Sequence, residues 1–171
     1  MAINYLGVKI LMSQTAIVAG GCFWGLESRF QKLAGVLDTE VGFTGGLLDN
    51  PTYRQVCQDI TGHVEAVKLE FDPAVISYEK LLDDFFNFHD PTLCRDNCMS
   101  QSSQYGSVIF PLNEEQKAIA TEVLAKVKSN GRFSCQVDTK IKDASTFWPA
   151  EEYHQSYYKK HNLSEEENNW C

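Results

Sequence analysis

The order of the apolar segments restricts this chain to a small set of folds. A short run from Thr15 to Ala19 ends at Gly20-Gly21, and Phe23 to Leu33 then carries Phe23, Leu26, Phe30 and Leu33 at helical spacing. Val36 to Thr44, rich in β-branched and aromatic residues and closed by Gly45-Gly46, reads as a second strand. His63 to Phe71 is a third, stopped by Asp72-Pro73. Ser77 is placed to cap a helix running to about His89, with Leu81, Leu82, Phe85 and Phe86 on its buried side. Tyr105 to Phe110 reads as a fourth strand. These six elements give β-α-β-β-α-β, the ferredoxin-like split order in which helices cover one face of a sheet.

A helix from Asn113 to about Ser129, opened by an Asn113/Gln116 capping box, and a strand from Cys135 to Ile141 extend that core. A terminal helix is expected over Glu151 to Lys160. The fold class expected is α/β (α+β), a two-layer sandwich ending in a coiled C-terminal tail. Residues 1–171 read as a single catalytic domain, with 1–13 a loose N-terminal arm and 162–171 a polar tail. Two long polar loops, Leu47 to Gly62 and Asp90 to Gln104, are the places where such a scaffold carries function.

A chain of 171 residues can build an ordinary core without disulfide staples, so its six cysteines need another explanation. A net charge of −8 argues against nucleic acid as the main partner, because phosphate binding uses clustered Lys and Arg. The uncharged stretch from Ile10 to Leu26 is broken by Ser13, Gln14, Thr15 and Gly20-Gly21 and falls short of the roughly 20 apolar residues of a spanning helix. No secretory signal is evident either, so the expected location is the cytoplasm, where cysteines rest as thiols and a pairing is more often catalytic or redox-sensing than structural.

Cys22 stands at the junction between the first strand and the first helix, inside Gly20-Gly21-Cys22-Phe23-Trp24-Gly25. A thiol at a helix N-terminus lies beside unpaired N–H groups and the positive end of the macrodipole, which favour the nucleophilic thiolate. Position alone fits a buried structural cysteine equally well. Phe23 and Trp24 read as core residues, or as an apolar pocket for a small alkyl group.

The Gly-Cys-Phe-Trp-Gly run resembles the active-site signature of the A-type peptide methionine sulfoxide reductases. The same family is matched, in order, by Pro51-Thr52-Tyr53, by Thr61-Gly62-His63-Val64-Glu65-Ala66-Val67, by His89-Asp90-Pro91-Thr92, by Gln104-Tyr105 and by Phe147 to Gln155. The resemblance spans about Thr15 to Gln155 and implies a cofactor-free, monomeric reductase of methionine-S-sulfoxide, free or in proteins.

Carried across by resemblance, Cys22 attacks the sulfoxide sulfur and becomes a sulfenic acid. Glu65 supplies the proton to the departing oxygen; outside the motif it would read as an exposed carboxylate paired with Lys68. Tyr53 and Tyr105 donate hydrogen bonds to that oxygen, since a phenol donates without carrying charge. Phe23 and Trp24 enclose the S-methyl group, which implies selectivity for the S epimer. One departure concerns Met99 to Tyr105, where Ser100 stands at the position the family commonly gives to an aspartate.

Regeneration of the thiol calls for a resolving cysteine and thioredoxin or another dithiol. Cys171, at the end of the polar tail, is the provisional resolver, with Cys94 and Cys98 as competitors. Cys57 reads as structural or auxiliary, and Cys135 as buried in a strand. Cys94, Cys98 and His89 lack the second ligand pair of a zinc site. The alternative reading is a redox-sensing or metal-binding thiol module on the same fold with little turnover.

Overall fold

A computed structural model describes residues 12–93 and 102–164. From the N-terminus, β1 (Gln14–Ala19) leads into α1 (Phe23–Phe30) and β2 (Val36–Thr44). A short helix α2 (Tyr53–Cys57) precedes β3 (Val64–Phe71). The chain continues through α3 (Tyr78–Phe88), a 3-10 turn at Ser103–Tyr105, β4 (Val108–Phe110) and α4 (Glu114–Ser129). Two short strands, β5 (Lys140–Ile141) and β6 (Trp148–Pro149), are followed by a second 3-10 turn at Glu152–His154 and by α5 (Tyr157–Lys160).

The sheet order is β5-β4-β1-β3-β2-β6. Its four inner strands are antiparallel in the sequence expected of a ferredoxin-like core, and only β5 runs parallel to its neighbour. Side chains alternate across the sheet. Ala16, Val18, Val41, Phe43, Val67, Leu69 and Phe71 face the helices and pack on Leu26, Phe30, Leu82 and Phe85. Ile17, Ala19, Val64, Ala66, Val108 and Phe110 form a smaller cluster on the opposite face. Parity then decides the direction of Glu65: it continues the row Phe71, Leu69, Val67 on the helix-covered face, opposite Phe43 of β2.

Local signals fix most boundaries. The Ser77 and Asn113 side chains cap α3 and α4 by accepting from the amides of Lys80 and Gln116. The Gln116 side chain does not close the expected box; its Oε1 accepts from the Leu112 amide and its Nε2 donates to the Thr15 carbonyl. A complete capping box instead joins Thr52 and Gln55, making a helix, α2, where a loop was expected.

Four further expectations are corrected. The helix after Cys22 ends at Phe30 rather than Leu33, with its C-cap at Gln31. The expected strand Tyr105–Phe110 begins only at Val108, because Ser103–Tyr105 closes a 3-10 turn. The strand Cys135–Ile141 shrinks to β5, the segment before it making an isolated bridge between Val137 and Thr92. Cys135 itself is half-buried and disulfide-bonded, so it is not the buried packing thiol expected.

The expected helix Glu151–Lys160 is interrupted at Gln155 and Ser156. The Gln155 side chain docks on the edge of β2, accepting from the Val41 amide and donating to the Val41 and Ala150 carbonyls. Ser156 takes a left-handed conformation (φ 50°) and gives its amide to the buried carboxylate of Glu27.

Candidate active site

The site is assembled where the helix-facing end of β3 meets the N-terminus of α1. Cys22 is the N-cap of α1, extended at φ −64° and ψ 124° and partly accessible, with its carbonyl accepting from the Leu26 amide. Gly21 before it has φ +78°, a left-handed conformation that suits glycine and lets the strand turn directly into the helix. The Gly21 amide donates to the Tyr105 carbonyl at 3.3 Å, which ties the second site tyrosine to the cysteine junction.

Glu65 is 1% exposed, and its Oε2 accepts from the Phe23 amide at 3.0 Å. That amide belongs to the first turn of α1, where backbone donors lack intrahelical partners, so the buried carboxyl satisfies one of them beside the Cys22 thiol. Burial, and next the nearby Cys22 sulfur, push the Glu65 carboxyl well above the usual carboxylate range against the pull of the Phe23 amide and the Gln104 side chain. The expected alternative partner, Lys68, instead pairs with Glu40.

Tyr53 opens α2, and its amide donates to Glu151 Oε1 at 3.1 Å. Burial raises its phenol above the ordinary range, with Glu65 the next cause. Tyr105 at the end of the 3-10 turn is raised by the same causes in the same order. Both tyrosines therefore keep their hydroxyl protons at neutral pH and remain donors.

The apolar side is built by Phe23 and Trp24. Phe23 is buried among Phe43, Tyr53, His154 and Trp24. Trp24 is half-buried and donates its indole N–H to His154 Nδ1 at 3.0 Å, while Tyr157 stacks on it at 3.9 Å and 8°. Accepting at Nδ1 requires a neutral tautomer with the proton on Nε2, and burial lowers the His154 pKa in the same sense.

The structure thus brings Cys22, Glu65, Tyr53, Tyr105, Phe23 and Trp24 together. Cys171, Cys94, Cys98 and Ser100 lie outside the described residues. Sequence reasoning named Gln104 only within the Gln104-Tyr105 match, without its bond to Glu65, and missed Tyr157, which stacks on Trp24. No helical spacing signals Tyr157, because the chain between it and His154 is extended at Gln155 and left-handed at Ser156. Cys57, expected as a packing residue, is an exposed thiol whose sulfur lies 3.9 Å from Gln104 Nε2 and hydrogen-bonds Tyr53.

A partly accessible thiol on a helix N-terminus, a buried carboxyl held against the same turn and two phenols are groups able to serve together as nucleophile, acid and hydrogen-bond donors. Residues 14–170 match the family model described as peptide methionine sulfoxide reductase. A peptide methionine sulfoxide reductase MsrA of Nitratiruptor sp. is 50% identical over 150 residues, 88% of this chain and 85% of the relative. The solved structure of methionine sulfoxide reductase A of Corynebacterium diphtheriae is 30% identical with a TM-score of 0.80, covering 89% of this chain and 76% of that one. Reduced Mxr1 from Saccharomyces cerevisiae is 29% identical with a TM-score of 0.74, covering 89% and 87% respectively. The chain belongs to the peptide methionine sulfoxide reductase family.

Proposed function

We propose that the chain reduces methionine-S-sulfoxide at Cys22, and that the 3.0 Å contact between Glu65 and the Phe23 amide is the observation that carries this reading. The Cys22 thiolate attacks the sulfoxide sulfur. The sulfur–oxygen bond breaks, the oxygen passes to Cys22, and the Glu65 carboxylic acid gives it a proton. The products are methionine, a Cys22 sulfenic acid and a Glu65 carboxylate: the substrate sulfur gains two electrons and the cysteine sulfur loses two. Tyr53 and Tyr105 hydrogen-bond the oxygen as charge develops on it, and a buried acid of raised pKa is protonated when needed.

Epimer choice follows from the asymmetry of the site. Phe23 and Trp24 offer an apolar wall to the S-methyl group, while Glu65, Tyr53 and Tyr105 offer polar partners to the oxygen. One configuration at sulfur satisfies both at once.

In the second half of the cycle a resolving thiol condenses with the sulfenic acid, releasing water and forming a disulfide. Thioredoxin or another dithiol then reduces that disulfide and is itself oxidised. Cys171 remains the provisional resolver, with Cys94 and Cys98 as competitors. The protein acts as a monomer in the cytoplasm. Among the described residues no helix is long and apolar enough to cross a membrane.

The test is turnover of dabsylated methionine sulfoxide epimers with excess dithiol. The S epimer is consumed and the R epimer is not, and Cys22→Ser abolishes the reaction. Equal consumption of both epimers contradicts the site geometry, and no turnover with ample dithiol contradicts the reductase assignment.

A further inference from the structure

Glu65 has two carboxyl oxygens, and the Phe23 amide accounts for only one. The other, Oε1, accepts from Gln104 Nε2 in a long hydrogen bond of 3.4 Å. Gln104 is 3% exposed, and the same nitrogen lies 3.9 Å from Cys57 Sγ. The Gln104 side chain also hydrogen-bonds Tyr105, its neighbour in sequence. One amide therefore touches the acid, one of the phenols and a second thiol.

An acid used in catalysis has two requirements. It must be protonated when substrate arrives, and the anion it becomes must be tolerated in a buried place. Burial and the Cys22 sulfur serve the first requirement. Only donors aimed at the carboxylate serve the second. The Phe23 donor is backbone and comes with the helix; the Gln104 donor is a side chain and can be set by sequence.

We propose that Gln104 is the positioning residue of the catalytic acid: its side-chain amide orients the Glu65 carboxyl toward the reaction and holds the carboxylate left when the proton has gone to the sulfoxide oxygen. This rests on the reading of Glu65 as the acid. Cys57 Sγ, next to the same nitrogen, keeps the amide turned with its donors inward. Among the described residues, the titratable groups facing Glu65 are Cys22 from α1, Tyr53 from α2 and Tyr105 from the 3-10 turn, with Cys57 of α2 across the Gln104 amide.

The experiment is single-turnover formation of methionine from saturating methionine-S-sulfoxide between pH 5.5 and 10, with sulfoxide affinity measured separately. In the parent the alkaline limb reports deprotonation of Glu65, and Glu65→Gln removes that limb. Gln104→Leu deletes the donor and leaves a branched apolar side chain one atom shorter. It is expected to lower the plateau rate about tenfold and to move the alkaline limb up by about one pH unit, with affinity unchanged. Gln104→Met, close to glutamine in length and likewise without a donor, gives the same reading if the leucine variant does not fold.

A plateau lowered with the limb in place marks a merely structural role and overturns the proposal. A limb displaced to lower pH also overturns it, because the amide would then be presenting its carbonyl. If Glu65→Gln itself leaves rate and limb unchanged, the reading of Glu65 as the acid fails, whatever Gln104 does.

Discussion

The backbone amide of Phe23 donates to Glu65 Oε2 across 3.0 Å, joining the first turn of α1 to the buried end of β3. One hydrogen bond therefore links the helix that begins after Cys22 to the strand that carries Glu65. It also sets the carboxyl's environment, since the bond lies where Glu65 is 1% exposed.

Glu65→Gln keeps an oxygen for the Phe23 amide and removes the proton. Formation of the Cys22 sulfenic acid is expected to slow by about 10²–10⁴-fold with sulfoxide affinity little changed, measured by rapid quench. Equal slowing at every pH would speak against proton donation, because the loss should be greatest where Glu65 is protonated in the parent.

Glu27 supplies a pH prediction away from the chemistry. It is buried on α1, accepts from the Thr39 hydroxyl and the Ser156 amide, and has its carboxyl pushed up by burial from 4.5 to about 7. Folding thus favours its protonated form. That contribution to stability is fully present below the unfolded value of 4.5 and is lost as pH rises toward and through about 7. Glu27→Gln does not titrate, so its Tm should fall less steeply than the parent's between pH 5 and 8, as read by calorimetry.

Gly42→Ala tests the edge of the sheet that supports the site. A Cβ at Gly42 would lie 2.3 Å from the Trp148 carbonyl, in the pairing that holds β6 on β2. Relief requires the strands to part next to Phe43, which stands opposite Glu65. A loss of about 1–3 kcal/mol and a Tm lower by about 3–10 °C are expected in thermal unfolding.

Recycling is tested by Cys171→Ser. One fast turnover should survive, while steady-state turnover driven by thioredoxin falls at least about tenfold. Unchanged steady-state activity moves the role to Cys94 or Cys98.

Much of this was legible in the chain because periodicity and caps are local. Ser77 and Asn113 mark their helices, whereas Glu65, which outside its motif reads as an exposed carboxylate, is 1% exposed. What was not legible depends on contacts between distant segments. The helix expected over Glu151 to Lys160 breaks because Gln155 bonds the edge of β2 and Glu27 takes the Ser156 amide, 129 positions away in sequence. The contacts of Gln104 and Cys57 escaped for the same reason: they meet only when α2 and the Ser103–Tyr105 turn close over β3. Cys135 looked like a buried strand residue because its neighbours are β-formers, yet strand pairing at β5 starts only at Lys140.

The most direct measurement is a single turnover of the fully reduced protein with methionine-S-sulfoxide in the absence of any reductant, with dimedone present to trap sulfenic acid and mass spectrometry to locate it. In a variant with Cys94, Cys98 and Cys171 all changed to Ser, the result expected is one methionine per protein and one dimedone adduct, on Cys22. Methionine formed by the same protein with Cys22→Ser added, or an adduct on Cys57 in place of Cys22, would contradict Cys22 as the nucleophile.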